Sequence, residues 1–253
     1  MIDSHAHIYA DEFNDDLEQI VLNAQEVGVS KILLPNIDLK SIKGIESLIT
    51  KYPGFAFPMM GLHPCSVDSN YLNELELIRK SLDEYNCIAV GEIGVDLYWD
   101  KSTQDIQIEA FKIQCDWAID KDLPIVIHSR DSIDLIIDIL ENNFKGKITG
   151  VFHCFTGSIE QARRIVELGM YVGLGGVLTF KNSDLKTVVP SIPIERIVLE
   201  TDSPYLAPVP YRGKRNEPSY IIHVHNYLAN LLGIDSQKLD AQLEANTLRL
   251  FKI

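Results

Sequence analysis

The sequence predicts an α/β protein folded as a single (β/α)8 TIM barrel, and three observations carry that expectation. The chain has 253 residues, close to the about 250 typical of such barrels and enough to bury one large core. Short apolar runs alternate with helical stretches from end to end. Histidines and carboxylates fall where those runs stop, which is where such a barrel gathers its chemistry. The expectation is one domain over residues 1–253.

Taken in order, Ile2–His7 reads as a strand ending in His-x-His, so that His5 and His7 leave the same face. A helix is expected from near Asp11, with Leu17, Ile20, Val21 and Ala24 inward and Gly28 as its stop. Lys31–Leu34 is a buried strand, and Ile42, Ile45, Leu48 and Ile49 mark the next helix before Tyr52-Pro53-Gly54. Phe55–Met60 is the third strand and leads to His63. A helix over Tyr71–Tyr85 precedes the fourth strand, Ile88–Gly94, which carries Glu92.

The long helix from Thr103 to Lys121 turns Phe111, Cys115 and Ala118 inward, and Gln104, Gln107 and Gln114 are expected on its exposed face. Pro124–His128, Ile148–His153, Met170–Gly173 and Ile197–Glu200 complete eight strands, followed by two C-terminal helices. Continuous apolar runs of this kind suit strands buried on both faces. A doubly wound open sheet is the competing architecture, but no GxGxxG or GxxxxGK[ST] turn supports it.

Composition narrows the function. A net charge of −13 argues against a broad electrostatic grip on duplex DNA or a membrane surface, though not against nucleic acid held locally at a metal centre. No apolar run is long enough to span a bilayer, and the start of the chain lacks the order of a signal peptide, so a cytoplasmic protein is expected. Cys65, Cys87, Cys115 and Cys154 form no CxxC pair and are expected as reduced, mostly buried thiols. Nothing in the chain marks an obligate protein partner.

The strand ends then supply a set. His5 and His7, His63, Glu92 with Asp96 beyond it, His128, His153 and Glu200-Thr201-Asp202 all fall at one mouth; His223 and His225, in a late helix, are assigned no role. One such group is easily a satisfied core residue, but each buried imidazole or carboxylate without a partner costs several kcal/mol. His5, His7, His128, His153, Glu92 and Asp202 exceed the needs of one four-coordinate ion and suit two. Only a carboxylate can bridge two cations, so Glu92 is the expected bridge, with His5, His7 and Asp202 on one side and His128 and His153 on the other. Ligands of nitrogen and oxygen fit Zn²⁺ or Mn²⁺, and Mg²⁺ where water completes the shell. Asp202 is placed to orient a water and take its proton.

These residues resemble the TatD family of metal-dependent deoxyribonucleases. SHAHI at 4–8, GLHP at 61–64, GEIGVD at 91–96, PIVIHSRD at 124–131, VFHCFTG at 151–157 and ETDSPYL at 200–206 carry the resemblance, in order and over nearly the whole chain. It implies a barrel with a divalent metal centre that hydrolyses DNA phosphodiesters, usually by trimming single-stranded ends. It implies His5, His7, Glu92, His128, His153 and Asp202 as metal ligands and His63 as a helper near the scissile phosphate. Gly94-Val95-Asp96 replaces the usual Gly-Leu-Asp, a change that touches no ligand.

The segment Tyr211–Pro218 is the densest basic cluster in this acidic chain. Tyr205 and Tyr211 are candidates to stack bases, and Arg130, Arg212, Lys214 and Arg215 to meet phosphates. DNA, with RNA as a second polynucleotide, is the expected substrate. A metallohydrolase of an amide, lactone or phosphotriester on the same barrel is the alternative; Glu92, where many such enzymes carry a modified lysine, favours the nuclease. A non-catalytic metal protein would leave a costly polar cluster without use.

Overall fold

The computed structural model describes residues 1–253. Eight strands, β1 (Ile2–Asp3), β2 (Lys31–Leu34), β3 (Ala56–Met60), β4 (Ala89–Asp96), β5 (Ile125–Arg130), β6 (Gly150–Phe152), β7 (Tyr171–Leu174) and β8 (Ile197–Leu199), lie side by side in chain order, every neighbouring pair parallel. The seam between first and last strand closes through Ser4 N–H to Leu199 O at 3.0 Å, Asp202 N–H to His5 O at 2.9 Å and His7 N–H to Ser203 O at 2.7 Å. Parallel strands need helical crossovers, supplied by α1 (Leu17–Glu26), α2 (Ser41–Lys51), α3 (Tyr71–Glu84), α4 (Gln104–Lys121), α5 (Ile133–Ile139), α6 (Ile159–Glu167) and the short α7 (Leu185–Val188). After β8 come α8 (Ile221–Leu232) and α9 (Ser236–Phe251). The architecture is the expected TIM barrel.

Two cores follow from strands that bury both faces. Between strands and helices lies a layer of 55 buried residues. Inside the barrel each strand contributes one side chain to a second layer: Ile2, Leu33, Met59, Ala89, Val126, Val151, Tyr171 and Val198, packed with Leu250 and Phe251 from α9. This inner layer sets the phase of what lies above it. Two residues on from Val126 is His128, and two on from Val151 is His153; from Met59 the same step leads through Gly61 to His63, and from Val198 through Glu200 to Asp202. Polar chemistry therefore sits directly on an apolar floor.

Four expectations are corrected. β1 is only Ile2–Asp3; past it Ala6 makes an isolated bridge to Ser203, so His5 and His7 stand beyond the regular ladder. The first α-helix starts at Leu17, because Asp11–Phe13 forms a 3-10 turn instead. Gln107 and Gln114 are buried rather than exposed. Each amide pairs with a backbone unit, Gln107 with Asp96 (2.8 and 3.2 Å) and Gln114 with Leu62 (2.7 and 3.3 Å), so α4 completes hydrogen bonds that the strand ends lack. The four cysteines are free, but only Cys115 is fully buried and Cys65 is exposed. No helix is long and apolar enough to cross a membrane.

Candidate metal centre

At the C-terminal mouth, Glu92 is the hub. It is inward-facing because the register between β4 and β5 shifts between Val90 and Ile93, which breaks the simple alternation from Ala89. Its Oε2 lies 3.2 Å from His5 Nε2 and 3.6 Å from His7 Nε2. Its Oε1 lies 2.8 Å from His153 Nε2, 2.9 Å from His128 Nδ1 and 3.3 Å from His63 Nε2. One carboxylate thus presents a separate oxygen to each of two imidazole groups. Asp202 Oδ1 stands on the first side, 3.5 Å from His7 Nε2 and 3.8 Å from His5 Nε2.

Outer hydrogen bonds orient the rings. Tyr9 donates its hydroxyl proton to Pro35 O at 2.6 Å and so accepts from His7 Nδ1 at 2.7 Å, leaving the His7 Nε2 lone pair aimed inward. His128 Nε2 donates to Asp96 Oδ2 at 2.8 Å, leaving its Nδ1 for the centre. His153 Nδ1 faces Glu200 at 3.6 Å, and Glu200 is held by the Cys154 N–H. A Cβ on Gly173 would come within 2.4 Å of Glu200 Oε2, so only glycine leaves room for that carboxylate. His63 differs: its Nδ1 accepts from Cys65 N–H at 3.1 Å, so in the neutral ring Nε2 carries the proton and points a donor inward.

Electrostatics agree with this. Burial would raise Glu92, yet the imidazoles of His153, His63 and His5 hold its carboxyl well below the usual range. Burial would lower His153, but Glu92 and Glu200 push it well up; His128 is raised against the same burial by Asp96 and Glu92. Asp96, despite its own desolvation, is brought down to about 2 by His128. His5 moves the other way, lowered by burial and by His153, whose ring stacks on it at 3.9 Å.

Convergent lone pairs with few donors among them are what a divalent cation satisfies. His5, His7 and Glu92 place ligand atoms within 4.8 Å of one another, as do His5, His153 and Asp202, and His63, Glu92 and His128. The donor set is nitrogen and oxygen with no thiolate, which fits Zn²⁺, Mn²⁺ or Mg²⁺. In the third group the tautomer makes His63 a donor rather than a ligand.

All six residues expected to hold metal therefore meet at one mouth. The substrate candidates divide. Arg130 and Arg212 are exposed and stacked on aromatic rings, on Tyr98 at 3.7 Å and Phe180 at 3.5 Å. Tyr205 is half exposed, its ring 6.0 Å from that of His7. Lys214 is exposed, whereas Tyr211 stacks on Tyr220 at 4.0 Å and the Arg215 guanidinium is engaged by Asp16 at 2.6 Å. Asn216 ties this loop to the end of β8, donating to Thr201 O and Tyr205 O, both at 2.7 Å.

Asp3 and Tyr9 escaped the sequence reading, and Glu200, which the sequence placed at the mouth, was given no role there. Asp3 takes Thr201 N–H at 2.9 Å, Thr201 Oγ1 at 2.6 Å and His5 N–H at 3.3 Å, linking the first ligand segment to the last. Tyr9 and Glu200 orient His7 and His153. The supporting role of Glu200 could have been read from its place two residues before Asp202 on one strand face; Tyr9 and Asp3 leave no such pattern.

This fold and donor set define a class, the barrel hydrolases that work through divalent ions. The model of the family described as "TatD related DNase" matches residues 2–252, and the chain belongs to the TatD family of metal-dependent hydrolases. It is 37% identical, over 100% of its length and 99% of the relative's, to the "uncharacterized metal-dependent hydrolase YabD" of Bacillus subtilis (strain 168). It is 30% identical to a "3'-5' ssDNA/RNA exonuclease TatD" of Erwinia billingiae (strain Eb661), covering 100% and 99% of the two chains. The crystal structure of YjjV, a TatD homolog from Escherichia coli K12, superposes with a TM-score of 0.94 at 30% identity, covering 100% of this chain and 98% of that one.

Proposed function

We propose that this enzyme is a binuclear metal-dependent nuclease that trims single-stranded DNA, and RNA as a second substrate, from an end. The observation that carries the reading is Glu92, whose two oxygens face separate imidazole pairs, His5 with His7 and His128 with His153. In this reading His5, His7 and Asp202 would hold one ion and His128 and His153 the other, with Glu92 between the two groups offering an oxygen to each. Divalent ions bound there supply charge to polarise a phosphodiester and acidity to ionise a water near neutral pH.

The chain's own groups do the rest. Asp202 orients the attacking water and accepts its proton. The His63 Nε2–H, directed inward by the Cys65 bond, donates to a phosphate oxygen or to the departing one. Arg130, an exposed cation on the strand that carries His128, contacts a neighbouring phosphate. The exonuclease names of two relatives support a polynucleotide substrate.

The test is digestion of end-labelled single-stranded DNA, duplex DNA and RNA by protein stripped and reloaded with Mg²⁺, Mn²⁺ or Zn²⁺. Shortening from one end, abolished by chelator and by Glu92→Ala, is the expected result. A folded, metal-loaded protein that cleaves no polynucleotide would remove the nuclease reading and return attention to lactones, amides and phosphotriesters.

A further inference from the structure

The loop after β4 exposes two large aromatic side chains that nothing described so far uses. Trp99 is 71% exposed and Tyr98 53%, their rings edge to face with centroids 4.9 Å apart. Leaving an indole in water forgoes burial that most tryptophans obtain. The Arg130 guanidinium lies 3.7 Å from the centroid of Tyr98 and 5.3 Å from that of Trp99. Arg163, Arg164 and Arg215 each pair with carboxylates; Arg130 pairs with none and is held by stacking alone.

The location of this group is fixed rather than loose. Asp96 Oδ1 accepts the backbone N–H groups of Tyr98 at 3.0 Å and Trp99 at 3.2 Å, while its Oδ2 takes the His128 Nε2 proton at 2.8 Å. One carboxylate therefore ties the aromatic pair and a candidate metal ligand together. Arg130 follows His128 by two residues on β5 and so leaves the same face, about 7 Å further toward solvent. Flat π surfaces, an unpaired cation and a metal centre thus follow one another along the mouth.

We propose that Tyr98 and Trp99 form a stacking platform for an unpaired nucleobase, with Arg130 contacting the phosphate next to it. This rests on the nuclease reading and deepens it, naming the substrate form as a strand whose bases are free to stack. A polynucleotide alternates phosphate with an aromatic base, and the site offers groups for both. Every base has a π face, so such a platform is tolerant of sequence. Bases inside a duplex are stacked on both faces and present only their edges to the grooves, so the platform selects for unpaired bases over those inside a duplex.

The test uses the full chain, whose only other tryptophan, Trp117, is partly buried on α4. In the Trp117→Phe protein Trp99 becomes the sole indole reporter. Metal-stripped protein is titrated with a thymidine oligonucleotide, a duplex of the same length and an abasic strand of the same length. Trp99 emission should be quenched by the single strand and little affected by the other two. Trp99→Ala, checked for an unchanged melting temperature, should bind the labelled single strand about tenfold more weakly, and wild type should bind the abasic strand about as weakly as the variant binds the normal one. Equal affinity in wild type and variant, or Trp99 emission unmoved at saturation, would overturn the platform. Digestion of the strand with Trp99 silent keeps the nuclease and removes the platform; quenching with no digestion under any of the three metals does the reverse.

Discussion

At the scale of single residues, the imidazoles on the two sides of Glu92 are supported by different chemistry. His7 is backed by a neutral phenol and His5 Nδ1 has no partner, whereas His128 donates to the Asp96 carboxylate and His153 Nδ1, itself without a hydrogen bond, has the Glu200 carboxylate 3.6 Å away. An anionic partner makes an imidazole a better donor to a cation. Asp96→Asn keeps an acceptor for His128 but removes the charge. On the proposed binuclear reading, metal binding followed by calorimetry should weaken by about tenfold or more for one ion, with the other little changed; equal weakening of both, or of neither, would show that the carboxylates do not distinguish the two sides.

At the scale of elements, β4 and β5 approach too closely at Gly94 to admit a side chain. Gly94 sits opposite His128 with φ +149°, and a Cβ there would stand 2.0 Å from the His128 carbonyl oxygen. That oxygen is backbone and cannot swing away, so the strands must separate. Gly94→Ala should cost about 3 kcal/mol or more and displace His128 from Glu92. Denaturant unfolding would measure the first effect and metal stoichiometry the second; a variant of wild-type stability that still binds its full complement of metal would refute the argument. The strand ends also explain the buried glutamines: α4 lends side-chain amides to backbone groups at Leu62, just beyond β3, and at Asp96, the last residue of β4.

At the scale of the whole molecule, the candidate metal centre joins the first and last strands of the barrel through Asp3, Thr201 and the strand seam, so metal bound there would be coupled to folding. At a thousandfold excess over Kd an ion adds about 4 kcal/mol, so chelation should lower Tm by about 10 °C in a chain of this size. Without metal, the raised values of His153 and His128 mean that the folded state binds protons more tightly than the unfolded one. Their contribution is fully present below the ordinary value of 6.5 and is lost as pH rises through the raised values. Metal competes with those same protons, so the loaded protein gains stability over the same rise. Scanning calorimetry from pH 6 to 8 should therefore give opposite slopes with and without chelator; parallel slopes would count against these imidazoles as the metal site.

The sequence by itself determined the barrel, the order of its strands and the identity of the polar groups at their ends. Period-two patterning and continuous apolar runs report burial directly, and His-x-His, Glu92, His128, His153 and Asp202 stand at fixed offsets from those runs. Only the tertiary structure decided how the groups face one another. The turn of Glu92 into the mouth depends on a register shift that no local pattern records. The burial of Gln107 and Gln114 depends on unpaired backbone groups from other strands, and the tautomer of His63 on one N–H at Cys65. Whether Arg130 or Arg215 remains free depends on what each meets in space, a ring for the first and Asp16 for the second. Periodicity encodes which face a residue occupies, but partners distant in the chain decide which of its atoms are left to act.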